Sequence, residues 1–111
     1  YPNLRLLDAR VSRNKFEEYI LDADVILLPY DPSIYWNRGS AVFFESIERG
    51  KYMIGRGGGS FVDSMSSLGV IDKYYSVEQL VSLIEYLTKK TKADIFNEGL
   101  RRRDIYRDLI N

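Results

Sequence analysis

Glu45 stands among Ala41, Val42, Phe43, Phe44 and Ile47, the apolar first turns of an expected helix. An acid on so apolar a helix must be paired, hydrogen-bonded or placed at the mouth of a site. Two roles fit the residue type. Its carboxylate can accept hydrogen bonds from a ligand diol, or it can pair with an arginine or a backbone N–H as a structural acid; spacing alone does not separate them. Just upstream, Arg38-Gly39-Ser40-Ala41 opens the same helix, with Ser40 as the expected N-cap. The backbone N–H groups of Gly39, Ser40 and Ala41 at a helix N-terminus suit a phosphate, and Arg38 adds a guanidinium of matching geometry. Ordinary capping and a surface salt bridge explain the same residues equally simply.

Further along, Gly55-Arg56-Gly57-Gly58-Gly59-Ser60 follows a strand and precedes a helix. As a dinucleotide fingerprint it is degraded: Ser60 replaces the last glycine, and no acid follows at the required distance. A pliable glycine loop at the carboxyl edge of a sheet, near a ligand, is the better reading. Tyr30, Tyr35 and Trp36 suit stacking on a base or sugar, or packing against a neighbouring domain. Asp31 is either a polar site residue just past a strand end or an Asx turn before Pro32. Arg101-Arg102-Arg103 reads as a solvated helix face, since Asp104 follows and the surrounding pattern is amphipathic.

Composition removes several chemistries. The 111 residues hold 16 Lys and Arg against 16 Asp and Glu, so no net field draws nucleic acid or an anionic membrane. With no Cys and no His there are no disulfides, no thiol catalysis and no Ser-His or Cys-His pair, and a zinc site is not expected. No apolar run approaches the ~18 residues of a membrane span. The length fits one domain.

The elements that must position these residues follow from periodicity and caps. A strand is expected at 4–7. A helix at 13–23, capped by Ser12, has Phe16, Tyr19, Ile20 and Ala23 on one face. The apolar run Val25–Leu28 reads as a buried strand, and the helix carrying Glu45 ends at Gly50 as its C′ residue. A strand at 52–55, a short helix at 61–66 and a minimal strand at 69–71 come next. Ser76-Val77-Glu78-Gln79 has the form of a capping box for a helix with Val77, Leu80, Val81, Ile84 and Leu87 in its stripe. Thr91-Lys92-Ala93-Asp94 opens a last helix with Ile95, Phe96, Gly99, Tyr106 and Ile110 on one side. This alternation predicts an α/β fold with a parallel sheet and right-handed crossovers.

Taken together, Ala23-Asp24-Val25-Ile26-Leu27-Leu28-Pro29-Tyr30, then Gly39-Ser40-Ala41 with Glu45-Ser46-Ile47-Glu48-Arg49-Gly50, then Tyr52-Met53-Ile54-Gly55 and the glycine loop, resemble a known arrangement. It is similar to the C-terminal, donor-binding domain of retaining glycosyltransferases of the GT-B fold, family four, in the version seen in bacterial surface-polysaccharide enzymes. The resemblance runs from Leu4 to the final helix. It implies a Rossmann-like three-layer parallel sheet that is part of a larger domain. The implied substrate is a nucleotide-diphosphate sugar, with no further cofactor, no metal and no nucleophile or base on this chain. Glu45 would hold the ribose hydroxyls, while Gly39, Ser40 and Ala41, with Arg38 beside them, would face the diphosphate. Asn37, eight positions before Glu45, falls where the family has a glutamate that contacts the donor sugar; asparagine keeps hydrogen bonding there and loses the charge. Arg10, Val11 and Ser12 match the turn beside the base.

The same resemblance implies that two further β-α units and an acceptor-binding domain belong to the parent enzyme, and that the isolated fragment is inactive. In a sheet of order 3-2-1-4-5-6 this chain supplies strands three to six. The strand Val25–Leu28 then presents an apolar edge that the strand Leu4–Leu7 can cover by pairing directly, that a second copy can cover in a homodimer, or that the missing units of a longer enzyme cover; a dimer-prone fragment is the expectation. The parent would work in the cytoplasm, including at the inner membrane face, and would move the sugar to a glycan or lipid-linked acceptor. The alternative from another class is a non-catalytic α/β module that binds a nucleotide or a partner domain.

Overall fold

The structure is a computed structural model that describes residues 13–29 and 36–110, with the backbone alone at 13, 14, 16 and 36–40. The expected strand at 4–7, the turn Arg10, Val11 and Ser12, and the loop residues Tyr30, Asp31 and Tyr35 lie outside the described residues. The order is α1 (Arg13–Asp22), β1 (Val25–Leu28), α2 (Trp36–Glu48), β2 (Tyr52–Arg56), α3 (Ser60–Ser67), β3 (Asp72–Tyr74), α4 (Val77–Thr88) and α5 (Lys92–Ile110). The three strands form one parallel sheet in the order β1-β2-β3, with Val25 opposite Tyr52 and Ile54 opposite Asp72. The chain is therefore an α/β protein with a small parallel sheet and connecting helices.

Period-two alternation along the strands divides the core. Ile26, Leu28 and Met53 meet Ile20 of α1, Val42, Phe43 and Ile47 of α2, and the buried pair Val70 and Ile71. Phe43 is fully buried, with Phe61 and Tyr106 edge-on to it at 4.8 and 5.5 Å between ring centres. Burying such a ring is worth ~1.5–3 kcal/mol, so Phe43 anchors α2 to both α3 and α5. The other set, Val25, Leu27, Tyr52, Ile54 and Tyr74, packs with Leu80, Leu83 and Leu87 of α4 and Ile95 of α5. The amino-terminal part of α5 thus joins one cluster, and Ile105 and Tyr106 join the other.

Glycines end two helices where the chain must turn back. Gly50 (φ 67°) donates to the Ile47 carbonyl at 3.0 Å while Lys51 N–H reaches Ser46 at 3.0 Å. Gly69 (φ 82°) and Val70 do the same to Ser66 and Met65, both at 3.0 Å. Each pair satisfies two carbonyls of a helix end with one residue in the left-handed region. Lys51 does a second job: its Nζ donates to the carbonyls of Leu21 and Ala23, each at 2.9 Å, and so caps the end of α1 from the start of β2. Ser76 accepts from Gln79 N–H at 3.2 Å, and Thr91 from Asp94 N–H at 3.0 Å, as their spacing predicts.

Several expectations are corrected. Helix α2 begins at Trp36, so Ser40 is not its N-cap and Arg38-Gly39-Ser40-Ala41 is helical backbone. The last strand is Asp72–Tyr74; residues 69–71 instead close α3 and bury Val70 and Ile71 in the core. Val77 (71 % exposed) and Val81 stand out from α4, and Phe96 and Ile110 from α5. Arg102, read as part of a solvated run, is buried. Among the described residues no helix is long and apolar enough to cross a membrane.

Candidate functional site

Because all three strands point the same way, their carboxyl ends gather at one edge, the usual ligand edge of an open α/β sheet. There β1 runs into Pro29, β2 into Gly57-Gly58-Gly59, and β3 into Tyr75-Ser76. Gly57 N–H donates to the Tyr74 carbonyl at 2.8 Å, extending the pairing of β2 with β3. A Cβ at Gly57 would lie 2.7 Å from Cε1 of the Tyr75 ring, so only glycine lets that ring lie against the loop. Gly58 adopts φ 105°, and nothing lies within 4 Å of where its Cβ would be. The loop is thus pinned at its first residue and open at its second.

Asp63, in the first turn of α3, gathers the polar groups of this edge. Its Oδ1 accepts from Gly58 N–H at 3.3 Å and from the Tyr75 hydroxyl at 3.1 Å, and lies 3.7 Å from Lys73 Nζ. Lys73 Nζ also sits 5.2 Å from the Tyr75 ring centre. The Tyr75 hydroxyl first, and Asp63 to a smaller extent, hold the Lys73 ammonium above its ordinary value. Tyr75 N–H donates to Gln79 Oε1 at 2.6 Å, which places the capping-box side chain one residue upstream of the usual recipient. An open groove beside this cluster is lined by Lys73, Tyr75, Glu78, Gln79, Ser82 and Leu83. Sequence reasoning missed Asp63, Lys73 and Tyr75. Their signal is positional: Lys73 lies within the short last strand, Tyr75 just past its end, and Asp63 in the helix that follows the glycine loop.

The residues singled out from sequence are brought together only in part. Asn37, Arg38, Gly39, Ser40 and Ala41 share the first two turns of α2. With Trp36 as the first helical residue, the N–H groups of Ser40 and Ala41 turn back to the carbonyls of Trp36 and Asn37. The carbonyls four residues before Trp36, Asn37, Arg38 and Gly39 lie outside the described residues, so the N–H groups that can serve a ligand are drawn from these four. Glu45 is half-buried on the same helix and pairs with Arg49 at 3.3 Å, one turn on. At 1.5 Å per residue it stands about 13 Å along the axis from Trp36. A ligand that meets both must be extended, of nucleotide-sugar rather than phosphate size.

A second polar cluster lies at the opposite, amino end of the sheet. Arg102 of α5 donates from Nη2 to Asp72 Oδ1 at 3.0 Å and to the Tyr52 hydroxyl at 3.2 Å. Its Nε reaches Glu98 Oε1 at 3.2 Å, and its guanidinium carbon lies 4.0 Å from the centre of the Tyr52 ring. The Tyr52 hydroxyl donates in turn to Asp72 Oδ2. Burial first and the Asp72 carboxylate second push the Tyr52 hydroxyl well up, against the opposing pull of Arg102. Hydrogen bonds from Arg101 first, then from Arg102, hold the Glu98 carboxyl below its usual range. Apart from Arg102 Nη1, these groups partner one another, which marks the cluster as an anchor for α5 rather than a place for a ligand.

Among the described residues no group of three acidic, histidine or cysteine side chains is placed to hold a metal. No protein-family model matches this chain, and no curated protein and no solved structure matches it either.

Proposed function

We propose that this chain is the nucleotide-sugar-binding part of a glycosyltransferase, a Rossmann-like half of a three-layer GT-B donor domain. The observation that carries the reading is the strand order. In a doubly wound sheet of order 3-2-1-4-5-6, strands four to six lie side by side in chain order and in parallel, as β1, β2 and β3 do here. The glycine loop then leaves the central of these strands at the ligand edge. No side chain of this chain acts as nucleophile or base in this mechanism. The first turn of α2 and nearby cations stabilise the negative charge that grows on the departing diphosphate. Glu45 orients the ribose, and Asn37 offers hydrogen bonds to the sugar.

The Glu45–Arg49 pair favours a second reading, a non-catalytic α/β module in which Glu45 is a structural acid. Titration calorimetry with UDP, GDP and their sugar conjugates separates the two. The donor reading expects one nucleotide to bind and Glu45→Ala to weaken it by roughly tenfold or more, the worth of a charged hydrogen-bond acceptor. Loss of the part-exposed i,i+4 pair with Arg49 should shift thermal melting of the same variant little, since such a pair contributes only ~0.3–0.5 kcal/mol. Unchanged affinity in Glu45→Ala would remove it from the site and favour the module.

A further inference from the structure

Arg56 ends the central strand at the ligand edge, immediately before the three glycines. It is exposed, and it is unlike the other arginine side chains described. Arg49 holds Glu45, Arg101 and Arg102 hold Glu98, Arg102 also holds Asp72, Arg103 lies by Asp104 and Arg107 by Glu48. Arg56 has no carboxylate partner among the described residues. The carboxylate that does lie beside the loop, Asp63, is already matched by Lys73, by the Tyr75 hydroxyl and by Gly58 N–H. Among the described residues Arg56 is therefore a cation of this edge with no carboxylate of its own, two residues before Gly58, whose surroundings are open.

We infer that Arg56 is a specificity-determining residue that receives the terminal phosphate of a nucleoside diphosphate and so selects diphosphate over monophosphate ligands. This rests on the donor reading above and adds a residue that reading did not contain. A guanidinium presents paired N–H donors that match two oxygens of one phosphate, and no carboxylate among the described residues pairs with this one. Gly58 carries no side chain to block the approach, and Gly57, buried against the Tyr75 ring, is held by β3, so the strand end from which Arg56 projects is firm.

The test compares the unaltered chain, Arg56→Gln and Arg56→Lys by calorimetry, with UDP, UMP, GDP and GMP as probes and thermal melting alongside. The expected result is a loss of roughly tenfold or more in diphosphate affinity for Arg56→Gln, with monophosphate affinity within about twofold of the unaltered chain. Arg56→Lys should recover part of the loss, since it restores charge without the paired donors. The melting temperature should stay put, because Arg56 is exposed and pairs with no carboxylate among the described residues. Equal diphosphate affinity in Arg56→Gln and the unaltered chain overturns the role of Arg56 and leaves the donor reading standing. An equal loss for mono- and diphosphates overturns the selectivity. If the unaltered chain binds none of the four nucleotides, the donor reading and this inference fall together.

Discussion

Arg102 shows how much one side chain can carry when its neighbours are chosen for it. It is stacked on Tyr52, hydrogen-bonded to Asp72 and Glu98, and nearly closed off from solvent. A lysine could reach the same carboxylates but would neither stack nor fork. Its Nη1 finds no hydrogen-bond partner among the described residues, so the remaining donors depend heavily on Asp72. Asp72→Asn should therefore cost ~1–2 kcal/mol in urea unfolding, the penalty of a mostly buried guanidinium left with Glu98 as its one counter-charge among the described residues. Arg102→Met should cost a similar amount, and the double variant less than the sum by at least ~1 kcal/mol. Strictly additive costs would mean that the two do not act as a unit. Arg102 was legible after all. The spacing Ile95, Gly99, Arg102, Tyr106 is the inward stripe of α5, and it passes through the middle of the three arginines. Reading 101–103 as one charged run hides that step, because successive residues on a helix point about 100° apart.

Elements were legible where local chemistry and packing agree. The glycine after α2 and the Ser76 and Thr91 caps are set by backbone geometry within a few residues, and they stand where the spacing puts them. The start of α2 was not legible: Gly39 and Ser40 look like a helix entry, yet the helix runs through them from Trp36. Gly39 within a helix costs ~1 kcal/mol relative to alanine, less than the burial of Val42, Phe43 and Ile47 further along returns. Strand β3 escaped for a related reason. It has three residues, two of them charged, whereas the apolar pair before it is buried through the turn rather than the sheet. The packing of α5 on the α2–β2 junction invites a direct test. A Cβ at Gly99 would run into the Gly50 carbonyl oxygen and stand 3.0 Å from its carbonyl carbon. Alanine would improve helix propensity by ~1 kcal/mol, but the obstacle is backbone and cannot rotate away. Gly99→Ala should destabilise the chain by a net ~1–3 kcal/mol in urea unfolding. A stabilised variant would show that α5 sits further from β2 than described.

At the scale of the whole molecule, the titrating groups bound the pH range of the fold. Tyr52 and Tyr74 have raised values, the first by burial and Asp72, the second by burial against the pull of Arg56. Their contribution is complete below the ordinary tyrosine value of about 10 and is lost as pH climbs toward the raised folded values, because unfolding then releases protons. Glu98 is lowered by its arginines, so its contribution holds above the ordinary 4.5 and fades as pH falls through the lowered folded value. Urea midpoints should be flat around neutrality, decline in acid and decline again above about pH 10. Tyr52→Phe should flatten the alkaline decline while leaving the acid one; an unchanged alkaline limb would place its origin elsewhere. The arrangement also has a consequence for change over time. One rim of the sheet is locked by the Tyr52–Asp72–Arg102 knot, while among the described residues the other carries glycines, the Asp63–Lys73–Tyr75 cluster and an exposed arginine. Substitutions at the second rim can alter its surface without loosening the hinge pin at the first, so a lineage built on this scaffold can change one face and keep the same skeleton.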